Sequence, residues 1–193
     1  MRILLGAVLA VVALVAPLAA QETSSDIQVN QALIAEITVG LNCKVEIVGS
    51  REAPGTERGS VDVFDKAPEL SPLGTVVPAL PGLGFGVRAR AADGLTIAGA
   101  TFRVIHPPFT ESGTTEQSWS ANYTDDGFST HLYRFDYPHE MVTGTWVMEA
   151  THAGAVLYRV NFTVIPAKDF PGAETLCDPA SLLSGDLAGP PRG

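Results

Sequence analysis

Four histidines, His106, His131, His139 and His152, are the side chains of this chain best able to hold a metal ion or pass a proton near neutral pH. Their spacing assembles no site locally. No two stand at i, i+2, which would put both on one face of a strand, or at i, i+4, the helical equivalent. His131 and Asp136 differ in parity, so one regular strand turns them to opposite faces. His139 falls in a corner and His152 beside a turn, where both are expected to be solvated. His106 ends one strand and His131 begins another, so the fold could bring them together as ligands of a metal-dependent hydrolase. The competing expectation is structural. Both share the parity of core aromatics, where a histidine is neutral and bonded to a backbone carbonyl, and no metal or cofactor is assigned.

Other chemistries have less support. There is no Gly-x-Ser-x-Gly elbow, and no serine sits in a signature beside a histidine. Asp125 and Asp126 are adjacent carboxylates, suited to acid–base work or calcium, but Gly127 follows them and marks a hairpin tip. The glycines around Leu83 and Phe85 open no helix, so they lack the amide cluster that cradles phosphate. Arg134, Asp136 and Arg159 are expected to pair across neighbouring strands, as a surface ladder worth about 0–1 kcal/mol per pair.

The elements that carry these residues are strands. Residues 33 to 47 alternate, with Leu33, Ala35, Ile37, Val39, Leu41, Cys43, Val45 and Ile47 apolar, predicting one half-buried strand, bent or split near Gly40. Residues 51 to 60 read as an exposed loop, followed by a short strand, "SVDVF". Four prolines between Lys66 and Gly82 exclude a helix or a central strand and predict an extended crossover along a sheet edge. Alternation returns with Leu83, Phe85, Val87 and Ala89 inward, and Gly84 and Gly86 imply close packing on the outer face. Phe102 and Val104 share a face, as do Trp119, Ala121 and Tyr123. The aromatics Tyr133, Phe135 and Tyr137, then Trp146, Met148 and Ala150, and even positions from Val156 to Val164 are expected inward. The last hairpin turns at Ala153–Gly154. No amphipathic helix of useful length appears; the one helical start is "CDPASLL". Seven or eight short strands without crossover helices predict an all-β, immunoglobulin-like antiparallel β-sandwich.

The ends and the composition bound the setting. Arg2, the uncharged run Ile3–Ala16, Pro17 and small Ala20 have the pattern of a secretory signal peptide over 1–20, although Leu18 is large for its place. A membrane anchor is the alternative, at the lower limit of spanning length; no cysteine follows for a lipid anchor. Cleavage leaves about 173 residues, enough for one domain with a core. We divide them into a linker over 21–32, a sandwich over 33–166 and a Pro/Gly-rich tail over 167–193. The net charge of −9 disfavours nucleic acid and anionic lipid as partners. Cys43 and Cys177 in an exported chain predict one disulfide, against a redox pair or two metal ligands, for which no Cys-x-x-Cys spacing exists.

The stretch from Val76 to Val164 also resembles a known family. Pro81–Gly82 leading into "FGVR", "HPP" at 106–108, "YRFD" at 133–136 and "G-x-W" at 144–146 are similar to the exported bacterial domain-of-unknown-function family numbered 3859, over roughly residues 35–166. His139 departs from the aromatic expected there. The resemblance implies an envelope or periplasmic protein and carries no activity, ligand or catalytic residue. The combined expectation is an exported, periplasmic or secreted, non-catalytic binding or accessory module, its partner an unidentified envelope protein or glycan. A carbohydrate-binding module is the first rival and needs Trp119, Tyr123 or Trp146 exposed; the hydrolase using His106 and His131 is the second.

Overall fold

The computed structural model describes residues 26–177. The signal-peptide reading over 1–20 and the helical start beyond Cys177 lie outside the described residues. Eleven strands appear among those described: β1 (Ile27–Val29), β2 (Ile34–Asn42), β3 (Ile47–Glu52), β4 (Ser60–Phe64), β5 (Val76–Ala79), β6 (Gly84–Ala91), β7 (Thr96–Ile105), β8 (Glu116–Thr124), β9 (Ser129–Arg134), β10 (Gly144–His152) and β11 (Ala155–Pro166). Among the described residues, only two 3₁₀ turns, Pro138–Glu140 and Ala167–Asp169, interrupt the all-β pattern.

Two sheets face each other across one core. The larger runs β1-β11-β10-β7-β8, the smaller β2-β6-β9, and β3 and β4 form a separate hairpin. Alternation fixes the inward faces, because a one-residue slip would turn every apolar side chain to water. Leu83, Phe85, Val87 and Ala89 on the small sheet are fully buried, as are Phe102, Val104, Trp146, Met148, Val160 and Phe162 on the large one. Phe85 is the hub: its ring meets Trp146 and Phe162 edge-on at 5.4 and 5.1 Å, joining the sheets with the geometry aromatic quadrupoles favour. Ala153 (φ 48°) and Gly154 (φ 80°) make the expected tight turn between β10 and β11, where positive φ matches the strand twist.

The proline-rich segment behaves as a crossover. It leaves β4, crosses the outer face of the small sheet, and meets the edge of β2, where the Leu41 and Ser71 backbones bond reciprocally at 3.0 and 2.8 Å. Gly40 is required there: a Cβ would lie 2.0 Å from the Ser71 carbonyl. The segment then becomes β5 on the edge of β11, a parallel pairing in an otherwise antiparallel architecture.

Several expectations are corrected. The strand expected over 33–47 ends at Asn42, and a bulge between Ile34 and Glu36 resets its parity, burying Ile34 and exposing Ala35. Ile47, expected inward, is exposed at the start of β3. The expected loop over 51–60 contains the end of β3 and the turn into β4, closed by an Ala53 N–H to Gly59 carbonyl bond. A bulge opposite Ala150 and Thr151 exposes Val156 and buries Leu157 in its place. Strand β1 lies in the stretch read as a linker. Phe170, Ala173 and Leu176, in the stretch read as a tail, are buried against the core. Cys43 and Cys177 are joined, Cα to Cα 5.2 Å, which fastens that segment beside the end of β2.

Candidate functional site

The hairpin β3–β4 positions the site. Its turn docks on β8, the edge of the large sheet: the Ser118 N–H donates to the Gly55 carbonyl at 2.8 Å, the Glu57 N–H to Gln117 Oε1 at 3.0 Å, and Arg51 to the Ser120 carbonyl at 2.7 Å. Strand β9 is the edge of the small sheet on the same side. Between β4, β8 and β9 lies a cavity of about 330 Å³, at the lower end of the size range of small-ligand sites. All of Ser60–Phe64 lines one wall and all of Thr130–Arg134 the other, with Trp119 and Gln117 from β8 and Glu140 beyond β9.

Ion pairs join the walls. Arg134 pairs with Asp136 at 2.6 Å and with Asp62 at 3.4 Å; Arg58 pairs with Asp136 at 3.1 Å and Asp62 at 3.3 Å. Each cation thus bridges β4 and the end of β9. Arg51 lines the same cavity and has no acidic partner among the described residues.

Buried polar groups sit where the walls meet the core. Glu140 is 4% exposed, accepting the Tyr133 hydroxyl at 2.8 Å on Oε1 and the Asp136 and Tyr137 N–H groups at 2.8 and 2.9 Å on Oε2. Gln117 approaches Tyr133 Oη at 3.4 Å and His106 Nε2 at 3.5 Å. Burial pushes the Tyr133 hydroxyl well above the usual tyrosine range, so it stays protonated as the donor to Glu140.

The two candidate ligands are built differently. His106 packs against both Phe109 and Trp146, centroids 3.9 and 4.6 Å away, with Nδ1 bonded to the Pro107 carbonyl at 2.8 Å. Because that carbonyl only accepts, Nδ1 carries the proton, and burial lowers the pKa despite the bond. His131 stacks on Phe102 at 4.8 Å, and its Nδ1 accepts the Trp119 indole N–H at 3.3 Å. Its Nε2 is buried with no hydrogen-bond partner. Burial, and then the charge of Arg51, lowers its pKa to about 4. Among the described residues, no group of three or more His, Cys, Asp or Glu is placed to hold a metal ion.

The charge ladder splits in two. Arg134 and Asp136 pair within one chain segment, at the cavity. Arg159 pairs instead with Glu149 at 2.7 Å, directly across β10 and β11, while Arg103 on β7 takes the other carboxylate oxygen at 2.6 Å. Burial raises the Glu149 pKa, but hydrogen bonds from both arginines outweigh it and hold the group below its usual range. The two clusters lie on different sheets, which parity alone does not reveal.

Three further side chains differ from expectation. Trp119 is half-buried at the cavity rather than wholly in the core, and Tyr137 is 49% exposed because β9 ends at Arg134 and the chain turns. His139 is largely shielded, its nitrogens 3.6 Å from Glu57 and from Glu111. Sequence reasoning missed Arg51, Arg58, Asp62 and Gln117, which need the docked hairpin to meet. Glu140 did leave a signal, a proline-initiated turn with the acid at its third position, the spacing by which a side chain reaches back to the chain's own N–H groups.

The family model described as "Domain of unknown function (DUF3859)" matches residues 30–164. Among solved structures, the chain is similar to an immunoglobulin-like protein from Pseudomonas aeruginosa, at 19% identity and a TM-score of 0.45, covering 74% of this chain and 99% of that one. No curated protein matches.

Proposed function

The chain belongs to the domain of unknown function family DUF3859, and we propose that it is an exported, non-catalytic binding module whose ligand seats between the β3–β4 hairpin and the β8 and β9 edges. One observation carries this reading: a cavity of about 330 Å³ whose walls are two whole strands from different sheets, with Trp119 partly uncovered inside it. A half-covered indole amid valines, a leucine and hydrogen-bonding side chains is a binding surface, since an aromatic ring contributes large contact area with few rotamers to freeze. The disulfide supports an oxidising compartment, and no described helix is long and apolar enough to cross a membrane. Glu140 is engaged by three donors in the corner after β9, and no chemical step is assigned to it or to His106 and His131.

The carbohydrate reading keeps one of its three aromatics. Trp119 lines the cavity, whereas Tyr123 and Trp146 are fully buried and offer no platform. Nuclear magnetic resonance tests the site directly. Titrating the protein with peptide, glycan and lipid fractions of the cell envelope should shift the Trp119 indole and Leu132 amide resonances with one class. The shifts should vanish in Val63→Trp, which fills the cavity. No shift with any class would overturn the reading.

A further inference from the structure

The two walls of the cavity are strand edges, and their free sides follow from the hydrogen-bond pattern. In an antiparallel pair, alternate residues bond the partner strand and those between them turn their N–H and C=O away. Phe135 bonds Leu83 through its N–H, and β9 continues that ladder with Tyr133, His131 and Ser129 opposite Phe85, Val87 and Ala89. Thr130, Leu132 and Arg134 therefore turn their main-chain groups away from β6. On the hairpin, Ala53 bonds Gly59, which places Val61 and Val63 in bonded pairs and turns Ser60 and Asp62 away from β3. Strands β4 and β9 pair with β3 and β6 respectively and not with each other. Apart from the Ser60 carbonyl, which the Thr56 hydroxyl reaches at 3.2 Å, two open edges thus flank one slot, five residues or about 17 Å long, in a fold whose exposed edges invite another strand.

We propose that this slot takes an extended peptide segment of a partner protein as an added strand, bonded on one side to β4 and on the other to β9. The inference rests on the binding-module reading above and names its ligand class. Main-chain complementarity selects a peptide over a glycan or lipid, because the walls offer evenly spaced N–H and C=O groups rather than isolated donors. The side chains set the sequence. Apolar residues of the peptide meet Trp119, Val61, Val63 and Leu132, and an acidic residue meets Arg51, the lining cation without an acidic partner among the described residues.

The test uses a random dodecapeptide phage library selected on the purified protein, followed by synthetic copies of the enriched peptides. Expected are alternating apolar sequences carrying an acid, with amide exchange at Asp62, Thr130, Leu132 and Arg134 slowed at least tenfold on binding. A strand between two edges uses N–H groups of both parities. N-methylation at either of two adjacent central residues should then weaken binding at least tenfold. Tolerance of methylation at one parity means pairing with a single edge and overturns the proposal, as does a library that yields no peptide protecting these amides. If a glycan or lipid fraction moves the Trp119 resonance while no peptide does, strand insertion falls and the binding module stands; if nothing moves it, both fall.

Discussion

Trp119 donates its indole N–H to Nδ1 of His131 across the β8 and β9 edges, at 3.3 Å. An indole nitrogen can only donate, so the bond fixes the histidine tautomer: Nδ1 is bare and Nε2 carries the proton. That proton is buried without an acceptor. The bond thus joins the two sheets at the floor of the cavity and commits His131 to its neutral form.

Acid should therefore weaken the fold through His131. Its pKa is about 4 in the folded protein, against about 6.5 for a free histidine. Above about pH 6.5 neither state takes the proton. Between 6.5 and 4 the unfolded chain binds it and the folded chain does not, so stability falls as pH falls; below about 4 the loss is complete. Its size is on the order of 3 kcal/mol. His131→Phe keeps the stack on Phe102 and removes the titration. Urea unfolding at pH 7.5 and 4.5 should show a smaller loss in the variant than in the native protein; equal losses would refute the assignment.

Tyr123 and Tyr158 share a hydroxyl–hydroxyl bond of 2.8 Å in the core, and burial raises both pKa values. Tyr123→Phe leaves the Tyr158 hydroxyl alone in apolar surroundings, at a cost of about 1–3 kcal/mol. Removing both hydroxyls strands neither. The double variant should be more stable than the sum of the single losses by at least 1 kcal/mol, a coupling that a double-mutant cycle measures. Simple additivity would mean that the bond contributes nothing.

These residues also mark how far the sequence carries. Tyr123 was legible as core because it alternates with Ala121 on a regular strand. Trp119 shares that parity, yet it sits where β8 becomes the rim of a cavity. Parity reports which face a residue occupies, not what covers that face. The same limit hid the hairpin: Ile47 alternates with β2, but the chain leaves the sheet after Asn42, and only the docking of Gly55 on Ser118 decides where β4 lies. Cys43 and Cys177 could be paired from counting alone, since two cysteines offer one bridge. Bulges at Ala35 and at Leu157 are single-residue events that no periodic pattern announces.

The disulfide closes a loop with a sequence separation of 134. Chain entropy for a loop of that size gives on the order of 4–5 kcal/mol, an upper figure because native adjustments reduce it. Its local effect is more specific. Cys177 follows Leu176, and Phe170, Ala173 and Leu176 are buried against the core. In Cys43→Ala/Cys177→Ala the melting temperature should fall and protease cleavage should begin between 167 and 177. Cleavage that starts in the hairpin would show that the bridge does not hold this segment.

Glu140 makes the sharpest prediction for the cavity, because one carboxylate satisfies three donors. Tyr133 reaches Oε1, and the Asp136 and Tyr137 N–H groups reach Oε2. Glu140→Ala strands all three inside the corner that follows β9, and each buried orphan costs about 1–3 kcal/mol, less where water enters. We expect a total loss of about 2–5 kcal/mol. Asp136 is carried by the same corner and pairs with Arg58 and Arg134, so its displacement should loosen the hairpin as well. Amide exchange then separates this effect from uniform destabilisation. Protection should fall more at Ser118, whose N–H is bonded to Gly55 of the hairpin turn, than at Val104 and Met148 in the large sheet. Glu140→Gln keeps one carbonyl oxygen for the two N–H groups and should recover about half of the lost stability. If Glu140→Ala lowers protection equally everywhere, the corner does not position the hairpin, which is then held by its hydrogen bonds to β8.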